Sequence, residues 1–246
     1  MRRFALLAFT LGLAFFASAQ TDTTAPPPPP SVSPRLPLRT RTNDHFLLQL
    51  GYLNWTQKPD SIRTKGLPRS FNIYLMLDFP FKTNRHFSVA LGPGVSTDAM
   101  YFDKTYVGIK DNTPSVRFQN VSDTNNFKKY KLATAFLEAP IELRYRFNPN
   151  DDRRSVKLAL GAKVGTLLAA SVKGKELRNR GGTTILDYTD KEKNKKFFNK
   201  TRLSVMARAG YGHFTLFASY SVTPLFRENL GPEIRPLTVG LTLSGL

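Results

Sequence analysis

Phe136-Leu-Glu-Ala-Pro-Ile-Glu-Leu-Arg-Tyr-Arg-Phe147 changes character at almost every residue. Leu137, Ala139, Ile141, Leu143, Tyr145 and Phe147 share one face; Glu138, Pro140, Glu142, Arg144 and Arg146 share the other. Side chains repeat every second residue in a β-strand, so the stretch reads as one. Its length matches the ~9–11 residues that a tilted strand needs to cross a bilayer. One face suits hydrocarbon, while the other carries four charges. A soluble sandwich or barrel would turn such a charged face to water.

The pattern recurs. Alternating segments lie at 44–55, 70–81, 87–91, 130–147, 156–165, 202–209, 214–221 and 237–244, eight in all. The connections between them run long, short, long, short, long, short, long. The short ones are 82–85, 148–153 and the turn at Tyr211-Gly212-His213; the long ones are 56–69, 100–129, 174–200 and 227–234. Outer-membrane barrels show this asymmetry, with short periplasmic turns and longer outer loops. An even strand number puts both chain ends on the periplasmic side. Aromatic residues gather at both levels. Phe79, Phe81, Phe87, Tyr145, Phe147, Tyr211 and Phe214 sit beside the short turns, and Tyr52, Trp55, Phe71, Tyr101, Tyr130, Tyr220 and Phe226 beside the long loops. Two such girdles mark the headgroup levels of a bilayer. The sequence therefore predicts an all-β fold, an eight-stranded antiparallel up-and-down transmembrane β-barrel over residues 44–246.

The second face is rich in small residues: Gly51, Ala90, Gly92, Ala159, Gly161, Gly165, Ala169, Ser204, Gly240 and Ser244. These suit the inside of a narrow barrel, where large and small side chains share limited room. The apolar face is accordingly placed outward, against lipid. The inward set then holds Asp78, Glu138, Glu142, Arg144, Arg146, Lys157, Lys163, Arg202 and Arg208. An eight-stranded interior is just wide enough for side chains to fill it, and an isolated buried charge is costly. Charges of both signs are thus expected to pair as a structural plug. A proton or ion path along the same residues is the sharper alternative.

Residues 1–19 read as a signal peptide. Arg2 and Arg3 precede an apolar run from Phe4 to Phe16, and Ala17-Ser18-Ala19 supplies a cleavage site that would leave Gln20 first. Residues 20–43, with Pro26 to Pro30 unbroken and further prolines at Pro34 and Pro37, read as an extended periplasmic linker. The absence of cysteine excludes a disulfide framework and an N-terminal lipid anchor. No later segment approaches the ~18 consecutive apolar residues of a spanning helix. The net charge is +18, or 18 − 2 = +16 once Arg2 and Arg3 leave with the leader; an exported chain meets little nucleic acid, so its expected partners are outer-membrane lipid and lipopolysaccharide phosphates. Basic clusters at 173–180 and 191–196 are candidates to meet them, or are simply solvated loop.

Catalytic chemistry finds little footing. His45, His86 and His213 have no serine or aspartate partner by spacing, and no metal-ligand motif occurs. Asp98, Asp103, Asp111 and Asp123 read as outer-loop acids. Gly92-Pro93-Gly94 reads as a bend and Gly181-Gly182 as a loop turn. No enzyme, cofactor or metal is expected.

The strand Phe136 to Phe147 resembles the YLEIPLLLKYRF strand of the PorT-type outer-membrane β-barrel family of Bacteroidota. Ala90-Leu-Gly-Pro-Gly-Val95 fits the Gly-rich third strand of the same layout. Ala139 departs from the pattern, which carries a large aliphatic there. The resemblance implies residence in the outer membrane and, at its most specific, a part in type IX secretion. The expected function is that of a non-catalytic integral outer-membrane barrel, structural or accessory, meeting a periplasmic or membrane protein partner. Two alternatives stand beside it: a narrow channel or transporter, and a soluble lipocalin-like carrier with the apolar face turned inward.

Overall fold

The computed structural model describes residues 46–149, 151 and 154–245. The leader read at 1–19 and the Pro-rich linker read at 20–43 lie outside the described residues. Alternation becomes strand along the chain: β1 (Phe46–Thr56), β2 (Arg69–Leu75), β3 (Leu77–Pro80), β4 (Phe87–Leu91), β5 (Gly94–Phe102), β6 (Thr105–Gly108), β7 (Arg117–Asn120), β8 (Asn126–Arg146), β9 (Val156–Arg178), β10 (Thr184–Lys193), β11 (Thr201–Tyr211), β12 (Phe214–Ser221) and β13 (Arg235–Ser244). β2 and β3 form one stave broken at Met76. β4 and β5 form another, broken at Gly92-Pro93, where proline has no amide to give a ladder. Gly92 is required at this break, since a Cβ there would lie 1.7 Å from the Leu75 carbonyl oxygen.

With those joins the ring has eight antiparallel staves: β1, β2/β3, β4/β5, β8, β9, β11, β12 and β13. β13 returns to β1, with Ser244 opposite Leu47, and the β8–β9 ladder completes the circle. Closure gives every stave two neighbours, as a hydrocarbon surround demands; among the described residues of the ring only β3, at the short-turn end, pairs on one side alone, with β4. Both ends of the barrel chain emerge at the short-turn end.

The faces fall as the alternation predicts. Ile141 is 57% exposed on the outside, whereas its neighbour Glu142 is 0% exposed within. Leu50, Leu77, Leu143, Leu160, Val205, Leu216 and Leu241 likewise face out. This is the reverse of what a carrier with an apolar cavity needs. The small residues do their expected work where Gly51 and Gly240 pair across the β1–β13 seam. Phe217, buried on the neighbouring strand, covers them; a Cβ on Gly240 would meet the Leu50 carbonyl oxygen at 2.0 Å.

Three details differ from the sequence reading. First, the stave that starts at Phe87 continues past the Gly92-Pro93 bend as far as Phe102. Second, the connections read at 100–129 and 174–200 are not plain loops. One holds the β6–β7 hairpin and the start of β8; the other holds the end of β9 and β10, which pairs with it. β8, β9 and β10 thus carry the wall above the ring as a three-stranded sheet. These segments escape a lipid-based reading because, above the bilayer, the sorting reverses: Tyr130, Leu132 and Val172 turn inward while Lys129, Lys173 and Lys175 turn out. Third, Leu168 is an extra residue on β9: Ala135 faces Ala169 but Phe136 faces Leu167. A bulge of this kind shifts the faces by one residue. Ala169, expected inside, is exposed, and Ala170 is buried in its place.

Candidate functional site

From Tyr130 onward the even-numbered positions of β8 are buried in the lumen, so Glu138, Glu142, Arg144 and Arg146 form one column along the barrel axis. Charges from neighbouring staves meet this column in three layers. Nearest the short turns, Arg146 Nη2 donates to Asp78 Oδ2 at 2.7 Å, and Arg144 Nη1 lies 3.7 Å from Asp78 Oδ1. Lys157, also buried, lines this layer. Next, Glu142 accepts from Arg208 Nε at 3.1 Å, from Arg208 Nη2 at 2.6 Å and from Arg144 Nε at 2.8 Å. Arg144 therefore links the two layers.

Glu138 centres the third layer. It accepts from Tyr74 Oη at 2.6 Å and Arg202 Nε at 2.9 Å, with Arg202 Nη2 also in contact and Lys163 Nζ at 3.2 Å. Arg202 in turn reaches Asp98 Oδ2 at 2.5 Å and Ser96 Oγ at 2.8 Å. Its guanidinium carbon lies 3.9 Å from the centre of the Phe136 ring, close enough for a cation–π contact. A neutral chain runs alongside: Ser70 Oγ donates to Asn72, Asn72 to Gln49, and Gln49 to Thr242.

Each predicted lumen residue therefore faces inward, and eight of the nine are placed in these ion pairs: Asp78, Glu138, Glu142, Arg144, Arg146, Lys163, Arg202 and Arg208. Asp98 is a correction. It is no outer-loop acid but a buried lumen carboxylate on β5, facing Arg202. Continuing the alternation past the Pro93 bend, with Ser96, Asp98 and Met100 on one face, is the signal that finds it. Tyr74 joins the layer through its hydroxyl, a role the alternation alone does not disclose. Voids of about 10 Å³ lie beside Arg144, Arg146 and Arg208, and beside Asp98, Lys163 and Arg202. Each has room for about one water.

Above Phe136 the lumen turns apolar. Leu53, Trp55, Met100, Phe102, Tyr130, Leu132 and Val172 point inward, and the long connections fold down onto them with Ile62, Phe197, Phe198, Leu225, Phe226 and Ile234. The Phe198 and Phe226 rings pack 5.1 Å apart. Asn199 Nδ2 ties the connections together by donating to the carbonyls of Pro224 (2.7 Å) and Phe226 (2.8 Å). Trp55, Tyr130 and Phe226, read as parts of the outer girdle, belong instead to this stopper. Tyr52 and Phe71 remain exposed on the outside, as do Phe79, Phe81, Phe147, Tyr211 and Phe214 at the other level. His86 and His213 fasten short turns: each ring Nδ1 donates to a carbonyl, of Arg146 at 2.7 Å and of Ser244 at 2.8 Å. His45 lies outside the described residues.

A closed ring with an apolar exterior, an ion-paired interior and aromatics at its short-turn level defines a transmembrane β-barrel protein. Residues 43–227 match the model of the outer membrane protein beta-barrel domain, and the chain belongs to that family. It is a protein of the outer membrane. Among solved structures it is similar to Ail, the attachment invasion locus protein of Yersinia pestis, crystallised with the heparin analogue sucrose octasulfate. That match has 16% identity over 81% of this chain and 96% of that one, with a TM-score of 0.36. A second structure of Ail matches at 16% identity over 81% and 95%, TM-score 0.30. A mutant porin of Rh. blastica matches at 7% identity over 80% and 99%, TM-score 0.20. No curated protein matches the chain.

Proposed function

We propose that this barrel is a non-conducting, non-catalytic accessory protein of the outer membrane, with its short turns in the periplasm and its long-loop end outward. The observation that carries the reading is double closure: three layers of paired charge fill the lumen, and an apolar stopper seals its outer mouth. A channel needs a continuous wet path, and the residues that would line one are engaged with one another. Export belongs to the same reading, with the leader removed after Ala19 and the Pro-rich segment at 20–43 reaching toward a periplasmic or membrane partner. The resemblance of Phe136 to Phe147 to the PorT strand favours a secretion complex as the place of that partner.

Planar-bilayer recording of the refolded barrel tests the closure. A folded protein, identified by a gel band that shifts on boiling, is expected to give no steady conductance. Reproducible single-channel steps from that same material would overturn the reading in favour of a narrow channel.

A further inference from the structure

The sheet that rises above the ring sorts its charges by face. On β8, Lys129 and Lys131 share the outward parity of Leu137, while Tyr130 and Leu132 are buried. On β9, beyond the Leu168 bulge, Lys173 and Lys175 point the same way, alternating with buried Val172 and Gly174. On β10, Lys191 and Lys193 join them; Asp190 and Glu192 lie opposite Gly174 and Val172 and so take the other face. The bulge matters here, because without its one-residue slip Lys173 and Lys175 would point inward.

Register then sets like charges side by side. Lys131 faces Lys173, Lys173 faces Lys191, and Lys129 faces Lys175. Like charges directly across a ladder destabilise a sheet. None of the six lysines forms an ion pair with a carboxylate among the described residues. The middle row continues round the wall onto β5, where Tyr101 lies opposite Lys131. The Tyr101 ring has the Lys131 ammonium 5.7 Å from its centre, and its hydroxyl accepts from Arg69 Nη2 at 2.9 Å. Directly below, the same face becomes the lipid-facing band of Leu137, Val164 and Leu168. A tyrosine at the top of an apolar band marks a headgroup level, and long lysine stems reach from above to the phosphates there.

From this geometry we infer that the lysine ladder is a binding surface for the phosphate groups of an outer-leaflet glycolipid. The inference rests on the proposed outward orientation of the long-loop end. Continuity with the lipid-facing band favours a lipid-borne phosphate over a soluble polyanion. Phosphates seated between opposed ammonium groups relieve the repulsion that the register creates, through charge-assisted hydrogen bonds.

The test uses the full chain refolded in phosphatidylcholine nanodiscs, alone, with bis-phosphorylated lipid A, or with the same lipid A stripped of its phosphates. Wild type is expected to retain phosphorylated lipid A through detergent extraction and to unfold at a higher temperature in its presence. Replacing Lys129, Lys131, Lys173, Lys175, Lys191 and Lys193 by Gln should lower the retained lipid about tenfold or more. It should also abolish the thermal shift, while the boiling-dependent gel band persists. Lys131→Arg with Lys173→Arg and Lys191→Arg should keep both responses. Undiminished lipid A binding by the Gln variant, equal binding of the phosphate-free lipid, or an equal thermal shift from inorganic polyphosphate would each overturn the inference. If wild type fails to form a heat-modifiable barrel in any disc, the membrane reading itself falls; a folded barrel indifferent to lipid A sinks the ladder alone.

Discussion

Replacing Glu142 by Gln removes the counter-charge at the centre of the lumen while keeping its shape. Glu142 is 0% exposed and accepts three bonds from guanidinium groups, at 3.1 and 2.6 Å from Arg208 and 2.8 Å from Arg144. Bonds to charged groups contribute ~1.5–3 kcal/mol each. A glutamine retains one acceptor oxygen and turns an amide NH₂ toward a donor, so the fork of Arg208 loses its match. Asp78 gives only partial relief: its Oδ2 holds Arg146, and its Oδ1, without a hydrogen-bond partner, lies 3.7 Å from Arg144 Nη1. Breaking a buried pair from one side costs ~3–5 kcal/mol. The void beside Arg208, about 10 Å³, admits one water to the orphaned guanidinium. The expected loss is therefore at the lower end, ~3 kcal/mol. Urea unfolding in phosphatidylcholine vesicles measures it, with fluorescence from Trp55, the single tryptophan, and the heat-modifiable band as two readouts. Glu142→Gln combined with Arg208→Gln should recover part of the loss, with a coupling of ~1–3 kcal/mol. Glu233→Gln at the exposed rim should leave the midpoint in place. A Glu142→Gln midpoint indistinguishable from wild type would refute the paired lumen.

Phe198→Ala empties a fully buried position in the stopper and should cost ~3–5 kcal/mol, read as faster proteolysis within 179–200. The variant should still carry no current, because the charge layers below remain; conductance from it would show that the stopper alone closes the barrel. At the β6–β7 hairpin, burial above all, and then the Asp111 carboxylate that accepts from its hydroxyl at 3.2 Å, pushes the Tyr106 phenol up to about 12. The folded state thus favours the neutral phenol over the unfolded chain. Its contribution is present below the ordinary value of ~10 and is lost as pH rises through about 12. The phenolate absorbance difference between wild type and Tyr106→Phe should titrate near that upper value; a midpoint at the ordinary tyrosine value would contradict the half-buried hydrogen bond to Asp111.

The barrel itself was legible because a bilayer imposes one rule on every stave. Leu137 and Ile141 must meet lipid and Glu138 and Glu142 must avoid it, and a period of two is the only way to do both. The inward charges were legible for the same reason, down to Arg202 and Arg208 on β11. Asp98 escaped because Gly92-Pro93 interrupts the alternation, and a reading that stops at a break loses what resumes beyond it. Ala169 escaped because one inserted residue, Leu168, inverts the parity without any marker in the local composition. The stopper escaped for a deeper reason. Whether Phe197, Phe198 and Phe226 face lipid, water or one another depends on how separate connections fold back over the mouth, and no periodicity within any one of them encodes that. Trp55 and Tyr130 show the ambiguity: an aromatic at a strand end serves equally as a girdle or as a plug.

The seam between β1 and β13 bears on the order in which the molecule is built. Gln49 and Thr242 bond across it although 193 residues separate them. β8 and β9, by contrast, are joined by one short turn and share the longest ladder in the molecule. The entropic cost of closing a loop grows with the logarithm of its length, and local pairings form ahead of distant ones. The β8–β9 hairpin is thus the natural nucleus, from which pairing spreads in both directions. The seam, where Gly51 and Gly240 meet without side chains, closes last. Until it does, β1 and β13 each expose an open edge, and a nascent barrel must be held somewhere that keeps both edges from pairing with another chain.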